Sequence, residues 1–333
     1  MHVLLTGGSG FVGGSLARYL VERRDSVTAL VRRNSRTEAL QALGVKLVQG
    51  DLETGEGLDA ALEGVGLVHH LAGVTKAKDQ QGYQRGNAEG TRLLALAIAR
   101  RASPPRLVVC SSLAAAGPSR IGNPRSETDG AQPVSLYGRS KLAAEEAVRE
   151  QARSVQAIVL RPPFVYGPGD EVNLPPLLAM ARHGLFLKSG LGPKQFSFIH
   201  IDDLCEALIA AGNRGTTLSA DDPNRGVYFV ADPRPYAWEE FCQALARAVG
   251  RRSAHVLSVP ESVGWLAAAV SELSARLRGK VSILNRDKAR EMAQEAWTCS
   301  SDRAMSELGF RARYSLADGL AHTVAWYRKQ GMV

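Results

Sequence analysis

The sequence predicts an α/β protein: a doubly wound parallel sheet, with a smaller, mostly helical C-terminal part. Three observations carry this. A glycine-rich turn stands between a short apolar run and a helical pattern at the start of the chain. Strand-like runs then alternate with helical stretches through the first half, the pattern of a parallel sheet covered on both faces. After Arg161 the alternation loosens into Pro- and Gly-containing connections and longer helices.

The first element is His2–Thr6, apolar enough for one buried strand. The turn after it fits two patterns. Gly8, Gly10 and Gly13 satisfy G-x-G-x-x-G; Gly7, Gly10 and Gly13, with Thr6 in front, satisfy T-G-x-x-G-x-x-G. Either way, the following helix, with Phe11, Leu16, Ala17 and Leu20 on its apolar side, offers free N–H groups and a positive dipole end to an anion. Further strands are expected at Ser26–Val31, Lys46–Gln49, Leu67–His70, Arg106–Cys110 and Gln156–Leu160, with helices over Asn87–Arg101 and Ser140–Ala152. RPPFVYGPGDEVNLPP reads as a long loop, FSFIHIDDLCEALIAA as a strand entering a helix, and GVYFVA as another strand. Residues 1–166, with 195–231, are expected to form a dinucleotide-binding domain. Residues 167–194 and 232–333 are expected to form a substrate domain. Within the latter, Val263, Leu266, Val270, Leu273 and Leu277 give one apolar helical face. A helix packed over a substrate pocket is preferred to a membrane-surface helix, because its polar face is poor in Lys and Arg.

The chain has 333 residues, 45% hydrophobic and 22% charged, an ordinary soluble composition. No stretch approaches the roughly 18 apolar residues of a membrane span. The start runs straight into a strand rather than a signal peptide, so a cytoplasmic location is expected. Cys110, Cys205, Cys242 and Cys299 fit no zinc spacing, and no metal site is expected. The net charge is +8, but the basic residues are scattered, which argues against nucleic acid as a partner. A small-molecule substrate is the partner expected, with a homodimer left open.

The chemistry centres on SLYGRSKLAAEEA, where Tyr137 and Lys141 stand four apart and share a helical face. An adjacent ammonium stabilises phenolate and would draw the tyrosine toward neutrality, making a general acid/base. Upstream, RLVVCSSLAAAG ends a strand in Ser111 and Ser112, hydroxyls suited to hold a substrate oxygen beside Tyr137. No G-x-S-x-G elbow surrounds them, so neither is read as a nucleophile.

With TGGSGFVG at 6–13, GDL at 50–52, HHLAG at 69–73, NAEGT at 87–91, YGRSK at 137–141, RPPFVYGPGD at 161–170 and HIDDL at 200–204, the chain resembles the extended short-chain dehydrogenase/reductase family, also called the epimerase/dehydratase family. The resemblance favours the Gly7, Gly10, Gly13 pattern. It implies catalytic Ser112, Tyr137 and Lys141, the last two also touching the cofactor. It further implies that Gly7, Gly10, Phe11 and Val12 meet the pyrophosphate, Asp51 and Leu52 flank adenine, and Leu71, Ala72 and Gly73 line the cofactor. Pro163 and Val165 would wrap the nicotinamide. Asn87 matches a family asparagine near the cofactor, with helix capping as an equal alternative.

An NAD enzyme carries an acidic residue about 20 positions after the glycines. Here Val31 stands there, followed by Arg32 and Arg33. A guanidinium suits a 2′-phosphate, so NADP is expected, with NAD allowed. Family members acting on nucleotide sugars carry an arginine four residues before the histidine of the H-x-D-D-like stretch. This chain has Phe196, and the acidic pair of the sugar dehydratases is replaced by Leu113 and Ala114. The remaining pattern resembles the reductase branch that includes 3β-hydroxysteroid dehydrogenases and dihydroflavonol reductases. The expected activity is NAD(P)-dependent interconversion of a ketone and a secondary alcohol on an apolar molecule. A nucleotide-sugar epimerase/dehydratase is the alternative, and a non-catalytic NADP sensor a more distant one, since Tyr137 and Lys141 are intact.

Overall fold

The computed structural model describes residues 1–278, 282 and 285–332. Its main sheet begins with β1 (His2–Thr6), β2 (Ser26–Val31), β3 (Lys46–Gln49), β4 (Leu67–His70), β5 (Arg106–Cys110) and β6 (Ala157–Arg161). Four short strands follow: β7 (Phe164–Tyr166), β8 (Leu185–Ser189), β9 (Gln195–Phe196) and β10 (Phe198–His200). The chain then returns to the main sheet with β11 (Val227–Phe229). Seven parallel strands stand in the order β3-β2-β1-β4-β5-β6-β11. The chain reverses direction across the sheet between β1 and β4, and in such sheets ligands bind at that switch point, beyond the carboxyl ends of the strands.

The apolar run of β1 follows from this placement. Val3 and Leu5 enter the core on one face, with Leu16, Leu20, Leu204 and Leu208. Leu4 enters the opposite core with Leu94, Ile98 and Val148. A central strand covered on both sides has no solvent face to leave polar.

The sixth strand runs one residue further than the sequence pattern suggests, to Arg161. A charged residue breaks an apolar run on paper, but Arg161 is buried here by a bidentate pair with Glu145, at 2.6–3.2 Å. The helix expected from Asn87 opens as a π-helical turn, Gln84–Glu89, before α-helix Gly90–Ala99. The helix expected from Ser140 starts a turn earlier, spanning Leu136–Arg149. The expected long loop after Arg161 contains β7, parallel to β10, and leads into helix Leu174–His183, with proline in its first turn.

The C-terminal third adds β12 (Tyr236–Ala237), β13 (His255–Val259) and β14 (Ala296–Trp297) to its helices. β13 lies parallel to β8, and β12 and β14 flank β9. A third core gathers Tyr166, Phe186, Phe198, Phe241, Leu320 and Tyr327.

Helix Glu261–Leu277 reverses an expectation. Its inward side is small, with Ala268 fully buried, whereas Val263, Leu266 and Val270 are exposed. The large apolar residues face out, so this face is not packed over a pocket. The side chains of Leu273 and Leu277 lie outside the described ones.

Candidate active site

The glycine turn distinguishes the two sequence patterns. Gly7 has φ +74°, and a Cβ there would sit 2.5 Å from the Ala72 nitrogen. At Gly13 a Cβ would sit 2.1 Å from the Gly7 carbonyl oxygen. At Gly8 it would meet only ordinary contacts, the nearest 3.4 Å away on Leu40. Sterics therefore demand glycine at 7 and 13 and not at 8. Gly10 has a different role. A Cβ there would meet only the Gly7 oxygen, at 3.4 Å, so its outer side is open. Gly10 also caps helix Phe11–Glu22 without a side-chain bond, and no acidic residue stands in the first turn. This bare, positive helix end beside open backbone fits a pyrophosphate.

The other expected cofactor residues gather along the same edge. Arg32 follows β2 and is exposed; its backbone N–H donates to Ser35 Oγ at 3.1 Å. Asp51 and Leu52 follow β3, Asp51 Oδ1 accepting the Glu53 N–H at 2.9 Å. Leu71, Ala72 and Gly73 follow β4, the Ala72 N–H donating to Thr6 Oγ1 at 3.3 Å. Pro163 and Val165 follow β6 and are half-buried.

Beneath them His70 bridges Thr6 (2.6 Å, through Nδ1) and Thr91 (2.7 Å, through Nε2). Thr91 Oγ1 donates to the Asn87 carbonyl, so it must accept from His70 Nε2–H; Nδ1 then accepts from Thr6. Burial pushes this imidazole down to about 3, with the Lys141 charge a lesser cause, and keeps it neutral for that relay.

Ser111 and Ser112 divide their roles. Ser111 Oγ donates to the buried Glu145 carboxylate that also holds Arg161. Its hydroxyl is thus committed to the core. Ser112 begins the short helix Leu113–Ala116, and its Oγ accepts the Ala114 N–H at 3.1 Å. It also lies near enough to the Tyr137 phenol to favour its ionised form.

Tyr137 and Lys141 stand one turn apart in helix Leu136–Arg149. Burial raises the Tyr137 phenol above its ordinary range, and the influence of Ser112 opposes this only in part. Burial also lowers Lys141, against the raising influence of Cys110 and Glu145. Lys141 Nζ donates to the Cys110 carbonyl at 2.8 Å. The ammonium is thus turned to the Cys110 carbonyl, the expected lowering of the phenol gives way to desolvation, and Tyr137 stands protonated.

Asn87 does not cap a helix. Its Oδ1 accepts the Val74 N–H at 2.8 Å, and its Nδ2 donates to the Val74 carbonyl at 3.0 Å and Ser140 Oγ at 2.8 Å. It ties the loop after β4 to the helix carrying Tyr137. Sequence reasoning missed Asp287 altogether. From helix Arg286–Ala293 its carboxylate accepts the Leu136 N–H (2.7 Å) and the Tyr137 N–H (3.3 Å), completing the start of that helix. No local pattern could have found a cap supplied from 150 residues away.

Comparison with known proteins agrees with this geometry. The family described as "NAD dependent epimerase/dehydratase family" matches residues 3–222. A ceramide reductase of Caulobacter vibrioides (strain NA1000 / CB15N) is 33% identical over 331 residues, covering 99% of this chain and 95% of that one. A 4-hydroxy-2-methyl-3-oxo-4-farnesyl-3,4-dihydroquinoline-1-oxide ketoreductase of Stigmatella aurantiaca is 30% identical over 337 residues, covering 96% and 95%. Among solved structures, that of gox2253 superposes with a TM-score of 0.80 at 28% identity, covering 99% of each chain.

Proposed function

We propose that this chain, which belongs to the NAD dependent epimerase/dehydratase family, interconverts ketones and secondary alcohols on apolar small molecules. It is an NAD(P)-dependent reductase of the extended short-chain dehydrogenase/reductase type. Residues 1–166 with 195–231 hold the cofactor in this reading, and residues 167–194 and 232–333 cover the substrate.

One observation carries the substrate class. Phe196 stands where nucleotide-sugar enzymes of the family carry a pyrophosphate-binding arginine. Its ring meets Trp238 edge-on at 5.6 Å and Phe198 at 6.3 Å. Phe198 stacks on Phe241 at 4.7 Å, and Phe164, within the loop assigned to the nicotinamide, packs on both. An aromatic cluster gives a diphosphate no charged donor but suits hydrocarbon. The names of the two relatives above, a ceramide reductase and a farnesyl-quinoline ketoreductase, point the same way.

Gly7, Gly10, Phe11 and Val12 would hold the pyrophosphate, Arg32 a 2′-phosphate, Asp51 and Leu52 the adenine, and Leu71–Gly73, Pro163 and Val165 the rest of the cofactor. When bound, a reduced nicotinamide supplies the hydride. Ser112 Oγ and the Tyr137 phenol fix the carbonyl oxygen of the substrate. Tyr137, kept protonated by burial, donates its proton to that oxygen as negative charge builds there. Lys141 positions the cofactor ribose and replenishes charge beside the phenol.

A panel of lipid-like and ring-bearing ketones, followed at the nicotinamide absorbance with NADPH, tests the reading. Tyr137→Phe should keep cofactor affinity and lose about 10²-fold or more in turnover, the usual share of a general acid. Turnover on nucleotide sugars but not on apolar ketones would replace this reading with the epimerase one.

A further inference from the structure

Large apolar side chains exposed to solvent are not spread evenly over this molecule. Of twelve among the described residues, seven fall in two short segments: Leu185, Leu187, Leu191, Leu257, Val263, Leu266 and Val270. Leu191 (73% exposed) and Leu266 (67%) are the most exposed of all twelve.

The two segments are neighbours. β8 and β13 pair in parallel with Leu187 opposite Leu257, so both side chains stand on the ribbon's outer face. Leu191 follows β8 in the Gly190-Leu191-Gly192-Pro193 loop. β13 leads through Pro260 into helix Glu261–Leu277, whose first turns lie against the end of β8. A Cβ on Gly264 would come within 3.5 Å of Ser189 Oγ, and one on Gly190 within 3.1 Å of Glu261 Oε1. Along the helix, Val263, Leu266, Ala267 and Val270 make one exposed stripe at i, i+3, i+4 and i+7.

Charge indicates the occupant. Among the described side chains of residues 251–280, Arg251, Arg252 and Arg278 are exposed, against Glu261 and Glu272. Arg251 and Arg252 precede the apolar stretch and Arg278 follows it. At its start Arg182 and His183, just before β8, are exposed beside Arg251, whose guanidinium donates to the Arg182 carbonyl at 2.8 Å. Of the two acids, Glu272 is turned toward Arg286, at 3.9 Å. Exposed apolar residues between basic borders match the layering of an anionic membrane surface, hydrocarbon beneath negative headgroups.

We propose that the outer face of residues 185–191 and 257–270 docks this protein on an anionic lipid bilayer. Leu191 and the Val263–Val270 stripe enter the acyl boundary, and the flanking arginines meet headgroup phosphates. The same helix packs on helix Arg286–Ala293, whose Asp287 caps the helix carrying Tyr137. A docked protein would thus bring its active-site wall close to the membrane. The inference does not rest on the ketone-reductase reading, because docking is measured without turnover.

The experiment is flotation of the full chain with vesicles of phosphatidylcholine alone or mixed with phosphatidylglycerol. The protein should float with the mixed vesicles, and less at high salt, where the screening length falls from about 10 Å at 0.1 M to about 3 Å at 1 M. Leu191→Ser with Leu266→Ser should weaken this binding about tenfold or more at an unchanged melting temperature, both side chains being solvent-exposed. Arg252→Glu with Arg278→Glu should weaken it by a similar factor, at about 1 kcal/mol per basic residue. Absence of flotation with anionic vesicles overturns the proposal. So does flotation that neither pair of substitutions reduces. A dimer in light scattering that Leu191→Ser with Leu266→Ser converts to monomer, without vesicle binding, assigns the face to a second copy instead.

Discussion

Replacing Arg32 by alanine should abolish a preference for NADPH over NADH. Arg32 stands one residue beyond β2, held by its backbone bond to Ser35 Oγ, with its guanidinium in solvent. Charge-assisted hydrogen bonds are worth roughly 1.5–3 kcal/mol, and exposure puts this one at the low end. About 1.5 kcal/mol corresponds to a roughly tenfold preference for the phosphorylated cofactor. Val31 would be a poor place to add a carboxylate. It is 9% exposed and packs in the sheet core, so Val31→Asp would confound specificity with folding. Arg32→Ala alone is the cleaner change, and Arg32→Lys, which keeps charge without the planar fork, should fall between. Dissociation constants for NADPH and NADH from fluorescence titration read the effect. The wild-type preference should shrink as salt rises, because an exposed pair is screened. Equal wild-type affinities, or an Arg32→Ala protein that loses NADH and NADPH affinity alike, would refute the reasoning and leave Arg32 a stacking surface for adenine.

Three further outcomes follow from the same structure. UDP and dTDP should leave the melting temperature unchanged while NADPH raises it, since a ligand at 100 times its dissociation constant adds about 2.7 kcal/mol; a shift with either nucleotide alone would favour a sugar-nucleotide substrate. Ketone reduction should hold its rate through neutral and mildly alkaline pH, because burial raises the Tyr137 phenol, while alcohol oxidation should climb as phenolate forms; coincident profiles for the two directions would count against Tyr137 as the proton carrier. Asp232 is buried with neither oxygen hydrogen-bonded among the described residues, and burial, aided by the Asp203 charge, pushes it up to about 8. A carboxyl raised on folding contributes stability at low pH that is lost as pH rises through the folded value. Asp232→Asn should therefore stabilise the protein by about 2 kcal/mol at pH near 8 and do little near pH 4, in thermal melts at the two values.

The parallel sheet was legible because its evidence is local. Each strand buried on both faces is a short apolar run, and the glycine cluster marks the turn after the first of them, although spacing left Gly7 and Gly8 as rivals until the close approaches at 7 and 13 decided between them. Tyr137 and Lys141 were legible for the same reason, as a fixed interval on one helix. What escaped depends on contacts between distant segments. Arg161 extends a strand only because Glu145 neutralises it, and Asn87 proves to be a tie between a loop and a helix. The outward stripe of helix Glu261–Leu277 is the sharpest case. Periodicity identified an apolar face but could not say which neighbour would cover it, and the buried side proved to be the one with small residues. The phenol of Tyr137 was misjudged for a related reason, since desolvation is set by the whole surrounding fold.

Asp287 also bears on the order in which this protein comes into being. Ser135 provides an acceptor for the Gly138 N–H, but among the described residues those of Leu136 and Tyr137 find theirs in Asp287. Synthesis runs from residue 1 onward, so the glycine turn and the first six strands leave the ribosome long before that carboxylate does. A nascent chain can therefore form its glycine turn while the helix bearing Tyr137, the proposed proton donor, still has a frayed first turn. In the proposed reading, a chain ended between residues 231 and 287 would keep the whole main sheet and lack the carboxylate that completes this helix.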